Sequence, residues 1–337
     1  MKIVHLTYPV KENILSTRIV LALGFFDGVH LGHQRLINQA KEIALQKKLS
    51  LVVLTFDRHP KEVYESKRDF KYLETLEEKA NKMAELGVDY LAVLPFTKNF
   101  SQISAQEFVD NVIVRLNADT VVAGFDYTYG SKNIANMANL PQFSKGRFNI
   151  VVMPKQTFNG RKIGSTEIRQ AIKDGQMELA TELMGHHYVM SGIIGHGKRN
   201  GHKLGYPTAN FIWAEHKVIP KIGVYATKTK VNGKWYNSMT SVGYNVTINQ
   251  YKKIYIESNI FDFNEDVYGK PMKIKWYKYT RGEKKSNLNE MSKKLGLILS
   301  KRVKKLRTLK KVRIFLNKIS NLLDLVLISG IILTVST

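Results

Sequence analysis

The chain reads as two domains in series, an α/β domain built on a parallel sheet and then a small all-β barrel. Three observations predict this. β-rich runs alternate with helical stretches from Met1 to about Met184, the rhythm of a parallel sheet covered on both faces. After Gly185 the helices stop, and short strand-like runs follow one another with Gly, Pro and Asn between them. The length, 337 residues, is enough for two separate cores.

In the first part, Ile19 to Leu23 is an apolar run with strand composition, broken by Gly24 and Gly28. A helical pattern starts at about Gln34, with Leu36, Ile37, Ala40, Ile43 and Ala44 on one face. Further strands are expected at Leu51 to Phe56, Tyr90 to Pro95, Thr120 to Gly124 and Asn149 to Met153. Helices are expected at Leu76 to Leu86 and Ala105 to Leu116. In the second part the runs Tyr188 to Ile194, Gly223 to Val231, Trp235 to Val242, Ile254 to Phe261 and Met272 to Tyr279 suggest an antiparallel sheet or barrel of about six strands. The boundary falls between Gly185 and Tyr188, giving domains at 1–185 and 186–290 and a divergent tail at 291–337.

That tail is basic from Ser286 onward, then apolar from Leu322 to Thr337 apart from Asp324. It is shorter than the roughly 20 apolar residues of a spanning helix. An interfacial anchor beside a polybasic segment, a helix packed on the barrel, and a drifted reading frame all fit it. The formal charge of +24 implies an anionic partner (nucleic acid, lipid surface or phosphorylated small molecule) or simply a lysine-rich surface, since much of the excess lies at the C-terminus. No RRM-like or other nucleic-acid motif is visible, so no nucleic-acid partner is expected. Zero cysteines exclude disulfides, thiol catalysis and Cys-type zinc sites. The N-terminus has no apolar signal core, and a cytoplasmic location is the expectation.

The most informative segment is Gly24-Phe-Phe-Asp-Gly-Val-His-Leu-Gly-His33. A lone histidine is an ordinary polar group, and H-x-x-H alone is also a metal-pair spacing. Here His30 and His33 sit with Asp27 and two glycines at a strand-to-helix turn. Free N–H groups and the helix dipole favour phosphate there, and imidazoles can donate to phosphoryl oxygens. Three further segments have the same character: Thr55-Phe-Asp-Arg-His-Pro60, Ala123-Gly-Phe-Asp-Tyr-Thr-Tyr-Gly130 with Asp126, and Gly164-Ser-Thr-Glu-Ile-Arg169. In the last, Ser165 or Thr166 is expected to cap a helix, with Arg169 one turn in. In open parallel sheets ligands bind beyond the C-terminal strand ends, where these segments fall.

The second half carries Gly197-Lys-Arg-Asn-Gly-His-Lys-Leu-Gly-Tyr-Pro-Thr-Ala-Asn210. Its glycines permit a loop around phosphates, and Lys203 with its neighbours supplies charge. Thr208 and Asn210 offer oxygen donors suited to Mg²⁺.

These motifs resemble those of prokaryotic bifunctional riboflavin kinase/FAD synthetases over residues 10 to 290. The resemblance implies a nucleotidylyltransferase-type, Rossmann-like first domain and a riboflavin-kinase-like barrel. It implies ATP as co-substrate, Mg²⁺ as cofactor, and riboflavin, FMN and FAD as substrates and products. His30 and His33 would then be catalytic, contacting the ATP phosphates. Gly24, Asp27, Gly28, Asp126, Ser165, Thr166 and Arg169 would bind that nucleotide, and Phe56, His59 and Pro60 the flavin. In the barrel, Gly197, Lys203, Gly205 and Thr208 would hold the second ATP, Asn210 would meet the flavin, and Thr208 and Asn210 the metal. Glu257 falls at the position of the catalytic base. The loop has Asn200 and His202 where the pattern has arginines, and Val246 where it has proline. The alternative is therefore FAD synthetase activity alone, with a weakened kinase module. Contact of the tail with a membrane is the less favoured expectation.

Overall fold

A computed structural model describes residues 1–12, 14–64, 70–158, 160–195, 208–246, 252–263 and 265–282. The expected phosphate-loop residues Gly197, Lys203 and Gly205, the departures Asn200 and His202, and the tail at 291–337 lie outside them. So do the side chains of Thr208 and Val246.

The chain forms two compact units. The first comprises Met1–Gln170, Leu179–His186 and Glu215–Val218. Its six strands are all parallel: β1 (Lys2–His5), β2 (Ile19–Leu23), β3 (Ser50–Phe56), β4 (Tyr90–Leu94), β5 (Ala118–Gly124) and β6 (Asn149–Met153). Their order across the sheet is β1-β4-β3-β2-β5-β6. Because β3 and β5 flank β2, the chain reverses its direction of travel there, and the crevice outside the C-terminal ends of β2 and β5 is the topological switch point.

The apolar runs of β2, β3, β4 and β5 are buried on both faces, whereas β6 at the sheet edge is partly exposed, with Val152 45 % exposed. Ile19, Leu21 and Leu23 join one core cluster, and Val20 and Ala22 join the other. Helix α1 (Leu31–Lys47) covers the second cluster through Leu36, Ile37, Ala40 and Ala44. It begins three residues before the expected Gln34, because His30 itself caps it: the ring Nδ1 accepts from the His33 N–H at 3.3 Å. The other helices here are α2 (Pro60–Tyr64), α3 (Leu76–Glu85), α4 (Ala105–Phe108) and α5 (Leu140–Ser144). Thr75 and Glu78 close a capping box on α3.

The single helix expected over Ala105 to Leu116 is instead α4 followed by π-helical turns at Val109–Val114. Strand β1 escaped the sequence reading because it is a short edge strand with little burial, so its residues lack a continuous apolar run. After β6 come a small hairpin of β7 (Thr157–Phe158) and β8 (Arg161–Lys162), then α6 (Ser165–Lys173) and α7 (Met177–Met184).

Among the described residues, the second unit comprises Ala171–Glu178, those of His187–Ala214, and those from Ile219 to Gly282. It is a closed antiparallel barrel, as expected. Its strands are β9 (Val189–Gly195), β10 (Thr208–Trp213), β11 (Gly223–Val231), β12 (Lys234–Val246), β13 (Lys252–Ile260) and β14 (Pro271–Arg281). Strand β10 was not read from sequence, because its register follows from pairing with β9 and β13 rather than from its own pattern.

Part of the barrel core is polar. Thr227, Thr229, Ser238, Thr240 and Ser258 are buried and satisfy one another. The Thr229 hydroxyl bridges Ser238 at 2.8 Å and Ser258 at 2.9 Å. Thr229→Val keeps the shape and removes both bonds. It should destabilise the barrel by about 1–3 kcal/mol, the cost of leaving buried hydroxyls short of partners. Denaturant unfolding followed by tryptophan fluorescence measures it, and an unchanged midpoint would show that the neighbours re-pair.

Candidate functional site

The turn joining β2 to α1 is built under strain. Phe26 and Val29 hold left-handed backbone at φ 57° and 32°, conformations that cost of the order of 1–3 kcal/mol each in non-glycine residues. Gly28, at φ +82°, has no room for a side chain: a Cβ would lie 2.6 Å from Leu73 Cδ1. Surrounding contacts hold the turn in this form, since Phe26 and Val29 are fully packed.

Five successive carbonyls of the turn are engaged. Phe25 O accepts from Thr55 Oγ1 at 2.9 Å and Lys79 Nζ at 2.6 Å. Phe26 O accepts from the Val29 N–H, and Asp27 O from Ser165 Oγ at 2.9 Å. Gly28 O meets His186 Nε2 at 3.2 Å, and Val29 O accepts from Gln34 Nε2 at 2.8 Å. With its acceptors taken, the turn offers donors to a ligand. The first N–H groups of α1, at Leu31 and Gly32, have no partner inside the helix. That polarity suits an anion.

The two imidazoles stack on each other, centroids 3.5 Å apart and planes 18° from parallel. Because His30 Nδ1 accepts a bond, its neutral ring carries the proton on Nε2. Burial, with His30 and Lys79 adding to it, holds His33 well below the usual histidine range, so it is neutral at pH 7. Its Nδ1 is buried with no hydrogen-bond partner among the described residues.

Asp27 is 2 % exposed. Its carboxylate accepts from the Leu73 N–H at 3.0 and 3.1 Å and from the Glu74 N–H at 3.3 Å. Arg169 Nη2 donates to Asp27 Oδ2 at 2.6 Å, and Arg169 Nε to Lys71 O at 2.9 Å. The carboxylate expected to meet a nucleotide is therefore a brace between the 71–74 segment and Arg169. Ser165 is the first residue of α6 rather than its cap, because its hydroxyl donates to the Asp27 carbonyl instead. Thr166 beside it is exposed.

The structure thus brings the 24–33 turn together with Ser165, Thr166 and Arg169. Gly24 ends β2 by donating to Leu54 O. Asp126 stands exposed on the turn after β5, across the switch point. His59 stacks on Phe70 at 4.2 Å and meets Phe25 edge-on at 4.8 Å, with Tyr72 completing an aromatic group. Pro60 begins α2. Phe56 does not join this group: its side chain packs in the core against Phe96 at 5.0 Å, so its placement does not support a flavin contact. It ends a buried strand, and its side chain follows the strand's alternation inward.

Sequence reasoning missed a buried set of charges beneath the turn. Glu74, Lys79 and Lys217 are 7 %, 3 % and 1 % exposed. Burial raises the Glu74 carboxyl to about 8, helped by Asp27 and Glu78 and opposed by Lys217 and Lys79. Burial lowers Lys79 to about 8 against the pull of Asp27 and Glu74. His186 Nε2 lies 3.9 Å from Glu74 Oε1. No local pattern marks these residues, since each is one polar position in an otherwise ordinary helix or loop.

In the barrel, Glu257 on β13 pairs in register with Asn210 on β10 and with Ser241 on β12. Directly opposed residues share a face. Asn210 and Glu257 thus bring an amide and a carboxylate together, hard oxygen donors of the kind Mg²⁺ takes.

Comparison with known proteins matches both units. A FAD synthetase family model covers residues 13–167, and a riboflavin kinase model covers 184–297. The bifunctional riboflavin kinase/FMN adenylyltransferase of Listeria monocytogenes is 47 % identical over 289 residues, 85 % of this chain and 92 % of that one. The enzyme of the same name from Bacillus subtilis is 42 % identical over 293 residues, again 85 % and 92 %. A crystal structure described as a macrolide-efflux protein from Streptococcus pneumoniae is similar at TM-score 0.78 and 34 % identity, covering 87 % of this chain and 97 % of that one. No helix among the described residues here is long and apolar enough to cross a membrane.

Glu74 offers a test that needs no ligand. Its folded pKa lies above the ordinary 4.5, so folding takes up a proton between about pH 4.5 and 8. The stability this confers is full below that window and is lost as pH rises through about 8. Relative to Glu74→Gln, the native protein should therefore lose stability between about pH 5 and pH 8, by up to a few kcal/mol. Thermal melts of both proteins across this range check it; parallel pH profiles would mean that Glu74 is ionised throughout.

Proposed function

The chain belongs to the bifunctional riboflavin kinase/FMN adenylyltransferase family, and from that premise we propose how its own residues divide the work. It phosphorylates riboflavin to FMN with ATP and adenylylates FMN to FAD with release of pyrophosphate. Both modules are matched and the relatives carry bifunctional names, which supports two activities over FAD synthetase activity alone with a weakened kinase module.

Adenylyl transfer is assigned to the crevice beside the 24–33 turn. An oxygen of the FMN phosphate attacks the α-phosphorus of ATP, and the bond to the β-phosphate oxygen breaks. This reaction needs alignment and charge stabilisation rather than a protein nucleophile. The observation that carries the assignment is the turn itself: its carbonyls face partners within the protein, the first N–H groups of α1 have no partner inside the helix, and the buried His33 Nδ1 has none among the described residues. His30, through Nε2–H, and neutral His33 donate to the charge that builds as pyrophosphate leaves. Arg169, with Thr166 and Ser165 at the start of α6, holds the triphosphate tail. Asp126 sits on the nucleotide side of the switch point. Phe25, His59, Phe70 and Tyr72 form an aromatic group suited to a flat ring system.

In the barrel, Glu257 takes the proton from the ribityl 5′-hydroxyl as that oxygen attacks the γ-phosphorus and ADP departs. The Asn210 amide lies opposite to orient flavin or metal. Mg²⁺, held there with Thr208, would neutralise the phosphate oxygens. We keep the sequence division at 1–185, 186–290 and a tail at 291–337, although Ala171–Glu178 pack with the second unit and Glu215–Val218 with the first, and a cytoplasmic location fits the substrates.

His33→Ala should lower FAD formation from FMN by about 10²-fold, the scale of one lost transition-state donor, and leave riboflavin phosphorylation intact. Glu257→Gln should do the reverse, abolishing FMN formation from riboflavin while supplied FMN still becomes FAD. Chromatographic separation of the flavins reads both. Unchanged FAD formation in His33→Ala, or loss of both activities in either variant, would overturn the division.

A further inference from the structure

Residues Glu215–Val218 lie between β10 and β11 in the sequence yet belong to the first compact unit. There they run beside the 71–74 segment. Tyr72 N–H donates to His216 O at 2.6 Å, and Val218 N–H to Tyr72 O at 2.9 Å, which makes a parallel bridge between Tyr72 and Lys217. Lys217, 1 % exposed, donates from Nζ to Leu73 O and to Glu78 Oε2, both at 2.6 Å.

Packing alone does not account for this lysine. Replacing a buried ion pair by apolar residues is often neutral or stabilising. Glu78 already serves the α3 cap by accepting the Thr75 N–H at 2.9 Å. What Lys217 adds is a fix on the Leu73 carbonyl. The N–H of the same residue holds Asp27, Asp27 holds Arg169, and Arg169 returns to Lys71 O. The four residues 71–74 are thereby held between Lys217 on one side and the Asp27–Arg169 pair on the other.

We propose that Lys217 is a positioning residue for adenylyl transfer: by fixing the Leu73 carbonyl it sets the segment that orients Asp27 and, through it, Arg169. The proposal rests on the assignment of Arg169 to the triphosphate. Small displacements of a positioned group are enough to cost rate.

The experiment uses the full chain with Lys217→Met, Lys217→Met/Glu78→Gln and Arg169→Met. FMN adenylylation is measured over a range of ATP, and riboflavin phosphorylation in the same preparations. Lys217→Met should raise the KM for ATP in adenylylation by about tenfold, with kcat moving less and riboflavin phosphorylation unchanged. The double variant removes the carboxylate charge that Lys217 no longer neutralises but does not restore the fix on Leu73, so its stability should recover while its KM stays high. An unmoved KM in Lys217→Met overturns the proposal. So does a KM restored in the double variant, which would reduce Lys217 to a neutraliser of Glu78, and so does a proportional fall of both activities. If Arg169→Met leaves the KM for ATP unchanged, the triphosphate assignment fails; if it raises the KM while Lys217→Met does not, only the present inference falls.

Discussion

One buried carboxylate organises the site proposed for adenylyl transfer. Asp27 lies in the strained turn itself, and its two oxygens accept from the Leu73 and Glu74 N–H groups and from Arg169. A carboxylate so far from water must be compensated nearly in full, which fixes the distance between the turn, the 71–74 segment and α6 within narrow limits. The groups proposed to face phosphate inherit that geometry. His30 and His33 follow Asp27 by one helical entry, and Ser165 anchors α6 on the Asp27 carbonyl. Asp27 repels phosphate as a charge, yet without it the cationic and N–H donors would have no common frame.

A second layer below the turn sets the electrostatics. Lys79 reaches Phe25 O and Thr55 Oγ1, lies 4.2 Å from the centre of the Phe25 ring, and its charge helps keep His33 neutral. Glu74, held near neutrality by burial, adds little negative charge beneath the site at pH 7. The local field thus stays favourable to an anionic ligand even though three carboxyl groups, Asp27, Glu74 and Glu78, stand close together.

Much of this was legible in the sequence, and what was missed has a common cause. The apolar runs of β2, β3, β4 and β5 announced a parallel sheet because both faces of it are buried there, and the Gly24-to-His33 turn stood out because its composition is so constrained; its assignment to phosphate is our proposal. The strand-rich second half announced a barrel. The contacts of Asp27 were not legible, because a sequence shows that a carboxylate is present but not which backbone N–H groups surround it. Phe56 was assigned to the flavin by the family resemblance, whereas strand alternation turns its side chain into the core. Lys79, Glu74 and Lys217 depend on contacts between positions far apart in the chain, and no periodicity reports such contacts. Lys217 meets Leu73 across 144 residues.

The hydroxyl ring inside the barrel bears on how this sequence can drift. Thr227, Thr229, Ser238, Thr240 and Ser258 lie on three neighbouring strands, and each serves as a partner for others. An aliphatic replacement at one position orphans its neighbours, whereas replacing the whole set at once leaves nothing to orphan. The five positions therefore form an epistatic block: two viable interiors, one hydroxylic and one oily, are separated by intermediates less fit than either. Substitution histories at these sites should be correlated, with changes arriving in company or not at all.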